Sequence, residues 1–202
     1  MEKKLSVLLI YLLMTVFPAT IILGIVFHDD LYPPKDVGFM HPADSLAPLH
    51  WAPEHIPLKV FLSTNLSEWD KEVQEACEWW NKQTKTNLFI YRGMIPELWL
   101  PKRPGFITIT SRGNTKGGGH TRLRYNKESG EIGYAPVYLD NETIQIIRKR
   151  VVAHELGHVL GLAHDENLSE SVMVKKAYIG DFIVTKADIE LLQQTYNNRN
   201  NI

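Results

Sequence analysis

The sequence predicts an α+β domain, and three observations carry that prediction. Short runs with apolar residues in alternation recur between residues 58 and 139, as strands do. Two longer stretches step their apolar residues by three and four, the period of a buried helix face. A third stretch of that kind closes the chain. With 202 residues, 44% hydrophobic and 22% charged, there is room for one compact domain plus an appendage.

The appendage comes first. Met1-Glu2-Lys3-Lys4 precedes Leu5 to Phe27, an apolar run without a charge. As a helix it would be about 35 Å long, against about 30 Å for a hydrocarbon core. Secretory apolar regions are shorter and end in a small-x-small cleavage site. The nearest candidate, Phe17-Pro18-Ala19-Thr20, falls inside the run. Residues 1–27 are therefore expected to be a single-pass signal anchor, with Lys3 and Lys4 cytoplasmic and the remaining chain outside the cytoplasm. Cleavage, giving a secreted form, is the alternative. Residues 28–57, with Pro33, Pro34, Pro42, Pro48, Pro53 and Pro57, read as a semi-extended linker. His41, His50 and His55 are scattered along it with no frame for a metal.

The folded domain is expected over residues 58–202. Leu58–Leu62 alternates as a strand. Ser67 with Asp70 forms a capping box that opens a helix to about Lys85, with Trp69, Val73, Ala76, Cys77 and Trp80 as its apolar stripe. Cys77 is the only cysteine, so no intrachain disulfide is available, and its place on the stripe makes it a core residue rather than a nucleophile. Strands recur at Leu88–Tyr91 and Phe106–Thr110. Thr121–Tyr125 and Glu131–Leu139 form a hairpin around Asn126–Gly130. Asp140 or Asn141 then caps a second long helix, along which Ile144, Ile147, Val151, His154 and His158 share one face. The net charge of −1 gives no reason to expect nucleic acid, and Arg148-Lys149-Arg150 reads as a solvated helix face.

The two histidines matter because they continue the stripe that faces the core. The segment reads His154-Glu155-Leu156-Gly157-His158-Val159-Leu160-Gly161-Leu162-Ala163-His164. Imidazoles four residues apart on a helix can reach one tetrahedral zinc ion, and Glu155 between them can take a proton from its water. Gly161 can end the helix and bring His164 back as a third ligand. Three protein ligands leave the fourth position to water, as in a catalytic site and unlike a closed structural one.

This pattern resembles the metzincin superfamily, whose motif is His-Glu-x-x-His-x-x-Gly-x-x-His followed by a methionine turn. Ser171-Val172-Met173 suits that turn, with Met173 as the apolar floor. Trp80-Asn81, Leu88-Phe89, Val137-Tyr138-Leu139-Asp140 and Val152-Ala153 around the motif look like matrixins, the matrix-metalloprotease type. So does the tail, where Thr185 and Asp188 make a capping box before Ile189, Leu191, Leu192 and Tyr196. The resemblance covers roughly residues 58–196. It implies a twisted mixed five-stranded sheet with two long helices, plus a small C-terminal subdomain with one helix. It also implies a zinc endopeptidase, expected to act as a monomer, with His154, His158 and His164 on the metal and Glu155 as catalytic base. An extended peptide substrate would lie on the edge strand near Gly119–Tyr125. Val174-Lys175 stands where matrixins commonly have Tyr-Pro, so no tyrosine ligand is implied. The competing readings are a catalytically silent zinc-containing peptide-binding module and a protein that uses zinc as a structural staple. Retention of Glu155 argues against the first, and the missing fourth ligand against the second.

Overall fold

The computed structural model describes residues 37–40 as backbone, and residues 48–111, 118–165, 170–175 and 180–196 in full. Its elements are β1 (Val37–Met40), β2 (Leu58–Ser63), α1 (Asp70–Thr84), β3 (Phe89–Ile95), β4 (Phe106–Ser111), β5 (Gly119–Thr121), β6 (Leu123–Asn126), β7 (Ile132–Tyr134), β8 (Val137–Leu139), α2 (Gln145–Val159) and α3 (Lys186–Tyr196). Five strands form a mixed sheet in the order β3-β2-β4-β8-β5. The first four run parallel and β5 runs antiparallel to β8, at the edge. A second, antiparallel sheet runs β1-β6-β7.

Alternation explains the sheet. Leu58, Val60 and Leu62 turn inward from β2 and are fully buried, as are Ile107 and Ile109 of β4 and Val137 and Leu139 of β8. Parallel neighbours need a crossover, and α1 supplies the one between β2 and β3. Val73, Ala76, Cys77 and Trp80 form its buried face, as the three-and-four stepping predicts. Burial pushes the Cys77 thiol far above its ordinary range, so it packs as an inert small hydrophobe. Asn81 ties the end of α1 to the sheet: its side chain accepts from the backbone N–H of Leu88 and Phe89 and donates to the Phe89 carbonyl.

Four expectations need correction. Folded structure begins before Leu58: Leu49 and Trp51 are buried in the core, and the Trp51 indole N–H donates to the Val159 carbonyl at 2.8 Å. Proline count reports backbone stiffness, whereas these two apolar side chains supply enough buried surface to hold the segment down. Ser67 does not cap α1. A 3-10 turn spans Thr64–Trp69, the helix starts at Asp70, and the Asp70 carboxylate accepts instead from the Tyr91 hydroxyl. The second helix starts at Gln145, not at 140 or 141. The Asp140 carboxylate accepts from the Glu142 N–H in a local turn, and Ile144 and Ile146 are left exposed. Finally, Arg150 is not on a solvated face but is 4% exposed. Arg148 is largely covered as well, pairing with Glu68 and lying over the Trp69 ring, and only Lys149, against Glu75, faces outward as read.

The tail behaves as read. The Asp188 N–H donates to the Thr185 hydroxyl oxygen at 3.0 Å, opening α3, and Leu192 and Tyr196 pack inward while Leu191 is exposed. The run Leu5–Phe27 and most of the linker, including His41, lie outside the described residues. Among the described residues, no helix is long and apolar enough to cross a membrane.

Candidate metal centre

Helix α2 reaches the site with Val151, Val152, Ala153, Leu156 and Val159 buried, so its orientation is set by packing before any ligand is considered. Trp80 adds a pin, since its indole N–H donates to the Ala153 carbonyl at 2.8 Å, one residue ahead of His154. The helix stops at Leu160, and Gly161 follows with φ +93°, a left-handed backbone that glycine adopts without strain. A side chain there would also run into the Leu49 carbonyl. This turn returns the chain so that His164 faces the two helix histidines.

The three Nε2 atoms converge. His158 Nε2 lies 3.1 Å from His154 Nε2 and 3.2 Å from His164 Nε2. The opposite nitrogens determine what that convergence means. His154 Nδ1 lies 2.8 Å from the Val172 carbonyl, and His158 Nδ1 lies 2.8 Å from the Leu162 carbonyl. A carbonyl only accepts, so each Nδ1 must carry a proton, and in the neutral imidazole each Nε2 then presents a lone pair. Lone pairs facing one another repel unless a cation lies among them. Two nitrogens held at about 2.0–2.1 Å by one tetrahedral zinc would be about 3.3 Å apart, close to the separations seen. The residues present therefore fit zinc. Burial, the larger effect, and the Arg150 charge together push the His154 imidazolium below its ordinary pKa, against the pull of the Val172 bond, and so favour the neutral form a ligand requires.

Met173 is fully buried and its sulfur packs against Gly157, between the two helix ligands, where a side chain on residue 157 would collide with it. The Asp165 N–H donates to the Met173 carbonyl at 3.0 Å, which joins the loop of the third ligand to the methionine turn.

Glu155 points toward β5 and is 3% exposed. The Thr121 hydroxyl donates to its Oε2 at 2.6 Å. Burial pushes the carboxyl up to about 7, with the Thr121 bonds pulling it back. Gly119 leaves the room that the Glu155 side chain fills.

The Matrixin family model matches residues 74–197, which run from within α1 through α2, the ligand loop and the methionine turn to the end of α3. The chain belongs to the matrixin family. No curated protein matches it. Matrixins are zinc enzymes, and the histidines that this matrixin brings together are the three expected from the motif. Its sequence did not disclose the groups that orient them: the carbonyls of Val172 and Leu162, the Trp80 bond to Ala153, or Thr121 on Glu155. Backbone carbonyls are chemically alike in every residue, so no local pattern marks the ones that hold a ligand. His120, on β5, is exposed and apart from the three ligands.

Proposed function

We propose that this matrixin is a zinc-dependent endopeptidase that cuts proteins outside the cytoplasm, with Glu155 as the proton-transfer group. The observation that carries the reading is the convergence of three imidazole nitrogens one residue away from a buried carboxyl beside an edge strand. Bound zinc would supply Lewis-acid polarisation of the scissile carbonyl and a lowered pKa for water. A peptide is held by β-addition on the outer edge of β5, which is the last strand of its sheet. Thr121 occupies Glu155 Oε2 and fixes the carboxyl plane, leaving Oε1 to take the proton of the attacking water. The water oxygen bonds to the carbonyl carbon, Glu155 passes the proton to the leaving nitrogen, and the C–N bond breaks. No covalent enzyme intermediate is required.

The uncharged run Leu5–Phe27 behind Lys3-Lys4 supports a single-pass anchor with the catalytic domain on the far side of the membrane. The test compares the zinc-loaded chain with Glu155→Ala on a mixture of unfolded proteins, reading new termini and bound zinc together. New termini with the native chain, lost on chelation and reduced about 10²–10⁴-fold in the variant at unchanged zinc content, are expected. Equal cutting by both chains would overturn the assignment of Glu155. Bound zinc with no cutting by the native chain would favour the silent binding module.

A further inference from the structure

Arg150 has no part in the chemistry above, yet it is a buried cation one helical turn before His154 on the same face of α2. A guanidinium taken out of water is costly unless its donors are met, so its contacts define what it is for. Its Nη2 donates to the Ser171 carbonyl at 3.1 Å, and its guanidinium lies 5.7 Å from the centre of the Phe182 ring. Those two contacts belong to segments that are themselves paired. Ser171 bridges to Ile183, the Val172 N–H donates to the Ile183 carbonyl at 2.7 Å, and the Ile183 N–H donates to the Glu170 carbonyl at 3.0 Å. The next carbonyl along, that of Val172, is the one that accepts from His154 Nδ1. Phe182 in turn packs on Trp79 at 4.8 Å, and Trp79 packs on Trp80.

We infer that Arg150 is the positioning residue of the zinc site: by clamping the Ser171 carbonyl and the Phe182 ring to α2, it sets where the Val172 carbonyl stands and so how the His154 ring is aimed. The ring of a ligating histidine is oriented by the acceptor on its far nitrogen, and loss of such an acceptor weakens metal binding about 10–100-fold. Val172 and His154 are eighteen residues apart, and neither can adjust this distance alone. Arg150 does so because it sits on the ligand helix and grips the neighbouring peptide of the other segment. A planar fork can donate to a carbonyl while its face lies on a ring, and a lysine ammonium cannot do both equally well.

This inference rests on the three histidines holding zinc, so the native full-length chain is titrated first. Failure of that chain to bind would sink the functional reading and this inference with it, whereas native binding leaves Arg150 to be judged by its variants alone. The test then compares Arg150→Met and Arg150→Lys with it by zinc affinity in chelator competition and by the visible spectrum of the cobalt(II)-loaded protein. The methionine variant is expected to lose about tenfold or more in zinc affinity and to shift the cobalt bands, with an intermediate loss for lysine. A purely structural role would lower the melting temperature and leave both metal readouts at native values. Native zinc affinity and spectrum in the folded variants would overturn the inference. If only the lysine variant folds, native values in it alone would do so.

Discussion

Glu155 and Asp188 are both carboxyls that burial pushes toward the neutral form, and they differ in what answers that push. Glu155 accepts from Thr121 and follows His154 in the chain, so a cation held by the histidines would favour its carboxylate and pull the carboxyl below the value near 7 set by burial. Asp188 is raised by burial first and by the charge of Asp165, with the Thr185 bonds working the other way. A carboxyl whose folded pKa lies above its unfolded one favours folding at low pH, and that contribution is lost as pH rises through the folded value. Asp188→Asn removes this loss. The variant's melting temperature should therefore gain on the native chain as pH rises from below the ordinary aspartate range to neutrality. A difference that stays flat or shrinks with pH would refute the argument. At this scale the sequence is informative where chemistry is local. His154 and His158 share a helix face by spacing alone, whereas the partners of Arg150, Trp80 and Thr121 are distant in the chain.

The helix ends and the turn between the ligands carry the next level. Of the capping residues read from the sequence, Thr185 acts as one, while Asp70 serves Tyr91 and Asp140 serves a local turn. A short polar side chain satisfies whichever donor the fold brings nearest, and that competition is not written in the capping pattern itself. Gly161→Ala should destabilise the chain by about 1–3 kcal/mol in urea unfolding, because it places a side chain at positive φ against the Leu49 carbonyl. It should also weaken zinc binding, since His164 lies three residues on. Normal zinc affinity in the folded variant would mean that the turn does not set the third ligand. Trp51→Ala should cost about 3–5 kcal/mol, for a fully buried indole that also donates to the end of α2. A cost within a few tenths of zero would restore the reading of residues 48–57 as a passive linker.

Zinc binding and folding are linked at the scale of the whole molecule, because the three ligands are brought together only by the native chain. At free zinc about 100 times its dissociation constant, binding adds about 2.7 kcal/mol of stability. For a chain of this size that corresponds to roughly 5–10 °C. Chelation should lower the melting temperature by that much, and zinc, but not magnesium, should restore it. An unchanged melting temperature on removal of bound zinc would place the ligands outside the folding unit.

The sequence by itself determined the α+β class, the buried faces of β2 and α1, and the three histidines that converge. Each depends on periodicity or spacing within one element, and a helix or strand enforces those geometries wherever it occurs. Tertiary structure alone decided that Leu49 and Trp51 belong to the core, that Arg150 is buried while Lys149 is not, and which carbonyls hold the imidazoles. Those outcomes follow from contacts between distant segments. There, which groups meet depends on how the helices and sheets pack, and every residue offers the same backbone donor and acceptor.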